Sequence, residues 1–225
     1  MHVAIDLGEN NTLVAAWKDG QLADEPALVV RLPGLVHFEP EAGADPWSRT
    51  RLQKYVAHIH REYLLPTRLV IYSAAVAIPG VPGLSIRRRL LDVLEESLGL
   101  EEALVVPRSL AQVAGFQLNR PQSLGDIMLL EVQGNEAEAS FLSTYPGVTI
   151  TLEGRCRGDA RVIREKAAQL GFLSPGGWNF DRLYLCGDAS PDSPIGSLLA
   201  GIPQRIPIQA ADDLPLTAVR GLHPQ

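Results

Sequence analysis

Asp6, Gly8, Asn10, Asn11 and Thr12 form the densest run of chemically capable residues in the chain. Asp6 closes an apolar stretch that reads as a buried strand, and the polar residues after it read as a tight turn into a second strand. A turn of this kind turns backbone N–H groups and short amide or hydroxyl side chains toward an anion. A carboxylate at the strand end is placed to hold a hydrated divalent cation beside that anion. Other constellations are poorer. His58 and His60 lie two apart in a helical stretch, so they point in different directions and read as surface histidines. No serine stands in a nucleophile-elbow pattern. Cys156 and Cys186 have no second pair with which to build a metal site, and both read as reduced, buried residues of a cytoplasmic protein.

Bulk properties narrow the classes. The chain has 225 residues, enough for one large domain or two small ones, and its 46% hydrophobic and 20% charged content supports a packed core. The formal net charge is −6, with 12 basic and 14 acidic residues before Pro121 and 8 and 12 from there on. Neither half is basic, which argues against nucleic acid as a partner. Arg87, Arg88 and Arg89 form a short basic run that reads as the solvated face of a helix. The sequence shows neither a membrane-spanning stretch nor a signal pattern.

The elements that must position the turn come in a repeated order. Residues 2–7, 12–18 and Ala27–Arg31 read as strands. Asp45-Pro46 opens a helix carrying Leu52, Tyr55, Val56, Ile59 and Tyr63 at helical spacing, and Pro66 stops it. A buried strand over 68–78, a helix from Ser85 to Gly99, a strand at Ala103–Val106 and a helix at Arg108–Gln117 follow. The order then restarts. Asp126–Val132, Glu136–Leu142 and Val148–Leu152 read as strands, Asp159 caps a helix, Leu183–Cys186 is a strand, and a helix from Ser193, a strand at Ile206–Ile208 and a helix over 213–220 complete the second copy. This duplication predicts an α/β fold of two ribonuclease-H-like lobes, residues 1–119 and 120–225, each βββαβαβα and facing the other across a cleft. A single α/β sandwich without duplication is the alternative.

Several pieces, in this order along the chain, resemble the Hsp70/actin-like ATPase superfamily. Asp6-Leu7-Gly8 with Asn10, Asn11 and Thr12 resembles its first phosphate loop. Ala75–Pro79 is similar to its strand-then-proline, and Val105-Val106-Pro107 with Gly115 resembles the crossover into the second lobe, with Val106 where the family has an acid. Leu183–Ser190 resembles the adenosine-contacting strand and turn, with Gly187 as its one glycine, and Leu216–Val219 the closing helix. The resemblance implies ATP and Mg²⁺ as ligands, Asp6 and Glu131 as metal holders, and Gly8, Asn10, Asn11, Thr12, Gly134 and Gly187 as nucleotide contacts.

The second phosphate loop departs from the family. Glu131-Val132-Gln133-Gly134-Asn135-Glu136 stands where the family has an aspartate, a run of glycines and a threonine. Side chains block the close approach of backbone to phosphate, and Glu9 and Glu136 add carboxylates to loops meant for an anion, where like charges about 4 Å apart repel by about 1 kcal/mol even in water. Three readings of Asp6 and Glu131 stay open: a metal that binds nucleotide phosphates, a metal or waters alone, or ordinary strand-end carboxylates. The spacing of elements also leaves no room for the outer clamps of the larger family members. The sequence therefore predicts a minimal, degenerate member, a pseudoenzyme with weak or lost ATPase that acts as a protein-binding or assembly module and can oligomerise. A working Mg-ATP-dependent ATPase or switch is one alternative, and a scaffold of a larger paralogue similar to the TsaB type is another.

Overall fold

The computed structural model describes residues 1–22, 25–38, 45–80, 83–100, 102–117, 125–133, 136–145, 149–186, 193, 195–211 and 214–223. They fall into two compact units, Met1–Leu118 with Pro215–Gln225, and Asn119–Leu214.

The first unit is built on β1 (His2–Leu7), β2 (Asn11–Trp17) and β3 (Leu28–Pro33), followed by one 3₁₀ turn at Leu35–His37. Then come α1 (Arg49–Ile59), β4 (Ser73–Ile78), α2 (Leu84–Leu98), β5 (Glu102–Pro107) and α3 (Arg108–Gln117). The sheet order is β3-β2-β1-β4-β5, antiparallel through the first three strands and parallel from β1 to β5. All six residues of β1 are buried, as expected of a central strand covered on both faces. Alternation divides its side chains. Val3, Ile5 and Leu7 join the core beneath α1 and α2, with Leu52, Tyr55, Leu90 and Leu94. Ala4 joins a second cluster with Leu13, Ala77, Ala111 of α3 and Ala218.

Local chemistry moves some boundaries. Ser48, not Asp45, occupies the cap position of α1; the Asp45 carboxylate instead accepts from the backbone N–H of Trp47. Pro66 lacks a backbone N–H, so the helix cannot continue through it. It loosens through a π turn at His60–Leu64 and a 3₁₀ turn at Leu65–Thr67, and Arg68 reverses the chain at φ 57°. Strand pairing therefore begins at Ser73 rather than at residue 68. Gly99 ends α2 in the left-handed region at φ 66°, where the lack of a side chain removes the steric cost.

The second unit repeats the plan: β6 (Gly125–Gln133), β7 (Glu136–Tyr145), β8 (Thr149–Gly158), α4 (Ala160–Gln169), a short hairpin of β9 (Leu173–Ser174) and β10 (Gly177–Trp178), β11 (Arg182–Cys186), α5 (Gly196–Leu199) and β12 (Ile208–Ala211). The last helix, α6 (Leu214–Gly221), follows. The order β8-β7-β6-β11-β12 matches the first sheet strand for strand. Asp159 caps α4 by accepting from the N–H groups of Arg161 and Val162. Met128, Leu130, Ala139, Phe141 and Leu185 pack with Ile163 and Ala167 on the helix-covered face. Two mixed five-stranded sheets of identical order make this a duplicated ribonuclease-H-like α/β fold.

One element departs from the simple repeat. Read in chain order, residues 215–225 fall in the second lobe, but they pack in the first unit. The backbones of α3 and α6 touch. A Cβ on Gly115 would lie 2.0 Å from the Thr217 carbonyl oxygen, and one on Gly221 1.8 Å from that of Ala111. Two glycines, one on each helix, permit a contact that no other residue allows.

Candidate functional site

Asp6 ends β1 on the α3 and α6 face and is almost completely buried. It shares a lateral row with Ala77 of β4 and Val106 of β5. Arg108 opens α3 two residues beyond Val106, and the methyl side chain of Ala77 leaves space over that row. The Arg108 Nε donates to Asp6 Oδ1 at 2.5 Å, an ion pair whose side chains are 16% and 2% exposed. A Cβ on Gly8 would approach the guanidinium to 2.9 Å and the Asn11 carbonyl oxygen to 2.3 Å, so the turn closes directly over this pair. The strand-end carboxylate thus has a fixed organic cation beside it.

The carbonyl side of the turn is also engaged. The N–H groups of Gly34, Leu35 and Val36 donate to the carbonyls of Asn10, Gly8 and Glu9 at 2.8, 3.1 and 2.9 Å. This seats the 3₁₀ turn against the loop, and a Cβ on Gly34 would clash with the Glu9 carbonyl. The Trp47 indole N–H donates to the exposed Glu9 carboxylate at 3.4 Å. Asn10 and Asn11 are exposed at the turn. Thr12 is not with them: it pairs with Leu7 across the strands, which puts its buried hydroxyl on the α1 face, opposite to Asp6. The structure therefore brings Asp6, Gly8, Asn10 and Asn11 to one turn and removes the Thr12 side chain from it. Arg108 and the Gly34–Val36 cradle were missed in the sequence. Arg108 follows a proline-ended strand, but only the register shows that it returns to Asp6.

In the second unit, Glu131 holds the position in β6 that Asp6 holds in β1. It faces Glu138 across the antiparallel pair and Cys186 across the parallel one. Glu131 is buried, and Glu138 receives Arg155 Nη1 at 3.1 Å from the neighbouring row of β8, where Arg155 stands opposite Ser140. Burial pushes the Cys186 thiol far up from its ordinary value, with the Glu131 charge acting in the same direction, so this thiol stays protonated and inert. Cys156 is half-buried, not buried as expected, and both cysteines are free. Gly134 and Gly187 lie outside the described residues.

The carboxylate donor needed for Mg²⁺ in the first unit does not fit that ion as arranged, because a guanidinium already holds Asp6. Among the described residues no group of three or more His, Cys, Asp or Glu side chains is placed to hold a metal. No described helix is long and apolar enough to cross a membrane.

The fold defines the class: two mixed five-stranded sheets of identical order, covered by helices, make a duplicated ribonuclease-H-like α/β fold. No protein-family model matches the chain, and no curated protein matches it. Among solved structures, the chain is similar to the Aquifex aeolicus member of the Ppx/GppA protein family, at 14% identity and a TM-score of 0.43. The match covers 84% of this chain and 66% of that one, so the chain spans just under two thirds of that protein's length.

Proposed function

We propose that this protein is a degenerate actin-like ATPase-fold protein that has given up Mg-ATP hydrolysis and works as a protein-binding or assembly module. One observation carries the reading: Arg108 occupies Asp6. A divalent cation bound there would have to displace a guanidinium from a buried carboxylate, and breaking such a pair is strongly unfavourable. Val106, on the same lateral row, offers no second carboxylate for a metal. The engaged carbonyls at the turn and the Thr12 hydroxyl on the opposite face support the same conclusion. Support for a binding role comes from the segment between α1 and β4, where Leu65, Leu69, Val70 and Tyr72 are 60%, 36%, 82% and 47% exposed. Such contiguous apolar exposure on one segment is a mark of contact surfaces.

Isothermal titration with Mg-ATP, followed by a phosphate-release assay, tests this. The expected result is no saturable binding in the micromolar range and no turnover above a buffer blank. Micromolar, magnesium-dependent binding with measurable phosphate release would overturn it in favour of a working ATPase.

A further inference from the structure

A cavity of about 410 Å³ opens in the first unit at the amino-terminal ends of β1 and β4. Leu104, Val106, Leu110, Ala111 and Leu222 give it a mainly apolar wall, and His2 and Ser73 stand at its polar end. The volume lies in the range of small-molecule sites. It is separate from the β1–β2 turn: His2 starts the strand that Asp6 ends, about 13 Å away at strand rise.

His2 Nε2 lies 2.9 Å from the Leu222 backbone carbonyl, and His2 Nδ1 lies 2.8 Å from Ser73 Oγ. A carbonyl oxygen only accepts, so Nε2 is assigned the proton and Nδ1 the lone pair. The Ser73 hydroxyl then donates to Nδ1. A hydroxyl, a base within hydrogen-bond reach and a third group that orients the base is the arrangement that activates a serine. The imidazole is 6% exposed. Burial lowers its pKa from the ordinary value and so does the charge on His223, whose ring centroid is 6.4 Å away, and on the Met1 ammonium; the Leu222 carbonyl acts in the opposite direction. Glu102, across the β4–β5 register from Ser73, also lines the cavity. His2 is thus held neutral near pH 7, the state a base requires.

We propose that Ser73 is a nucleophile and His2 its general base, in an acyl-transfer site that takes esters of small apolar acids. Ser73 Oγ forms a bond to the ester carbonyl carbon as its proton passes to His2 Nδ1. The alcohol leaves with that proton as its C–O bond breaks. Water, deprotonated by the same nitrogen, then releases the acid and restores the serine. Ser73 is intermediate in exposure and lines the cavity, so a substrate carbonyl can reach it.

A fluorophosphonate probe tests the proposal on the intact chain, because attack by an activated serine forms an O–P bond and expels fluoride. The expected result is one label per chain, located at Ser73 by peptide mass, with p-nitrophenyl butyrate hydrolysed in parallel. Ser73→Ala should abolish both. His2→Gln should slow labelling about 100-fold or more, in line with loss of a positioned base. The wild-type rate should rise with pH to a plateau with its midpoint below 6.5. Labelling at another residue, or no labelling, would overturn the proposal, as would a rate unchanged in Ser73→Ala. If His2→Gln fails to fold, the pH profile and Ser73→Ala, which removes one oxygen, still decide the matter.

Discussion

The two sheets share a strand order but treat the same position in opposite ways. In the first, Asp6 faces Leu13 and Ala77 and is neutralised by an arginine from the next helix. In the second, Glu131 faces another carboxylate, Glu138, and a cysteine that stays protonated. A duplicated topology fixes where a strand-end acid sits. It does not fix what surrounds the acid, because that depends on residues distant in sequence. The first acid is built into the fold as half of a buried ion pair, whereas the second lies beside a like charge in a ladder.

Breaking the ion pair should have the largest effect. Arg108→Ala leaves Asp6 buried without its guanidinium and should cost about 3–5 kcal/mol, read by urea denaturation. Replacing both residues by apolar ones should recover most of that loss. If Arg108→Ala costs under 1 kcal/mol, the contrast between the sheets is wrong.

Next in size is the contact between α3 and α6. Gly221→Ala forces a methyl into the Ala111 carbonyl and should cost about 1–3 kcal/mol. Trp17 stacks edge-on against His223 with ring centroids 5.1 Å apart, so its fluorescence should report α6 lifting away before global unfolding.

Acid should act through His2. Its folded pKa lies below the ordinary 6.5, so the unfolded chain takes up the proton first. Its contribution is therefore complete above pH 6.5 and is lost as pH falls through the lower folded value, by at most about 1.4 kcal/mol per pH unit. Melting temperature measured from pH 8 to 5 should fall faster for the wild type than for His2→Gln.

The smallest effect sharpens the comparison. Glu131→Gln removes one of two carboxylates that face each other across the strands and should change stability in urea by no more than about 1 kcal/mol. Asp6→Asn, by contrast, leaves Arg108 without its carboxylate and should cost about 3–5 kcal/mol, as Arg108→Ala does. If both variants lose stability equally, the two acids play one role, and the difference between the sheets is only geometric.

Much of the fold was legible in residue order. The continuous apolar run of β1, the period of Leu90, Leu94 and Leu98 in α2, and the Asp159 cap follow from local rules, and the recurrence of the element order pointed to duplication. The boundaries that moved did so for local reasons of a finer kind: Pro66 unwinds α1 gradually, and Asp45 serves a turn before the cap. The candidate turn was legible as a turn, and Asp6 as its acid. The side of the sheet on which Thr12 falls was not legible, because only the β1–β2 register, which pairs Thr12 with Leu7, opposes it to Asp6.

The sequence by itself determined which segments become strands and helices, because propensity, period and capping act over a few residues. Only the tertiary structure decided that Arg108 neutralises Asp6 across 102 residues, that α6 returns to the first unit through a pair of glycines, and that Ser73 meets His2. Such meetings depend on strand register and helix approach, which are set by packing of the whole unit and leave no trace in local spacing.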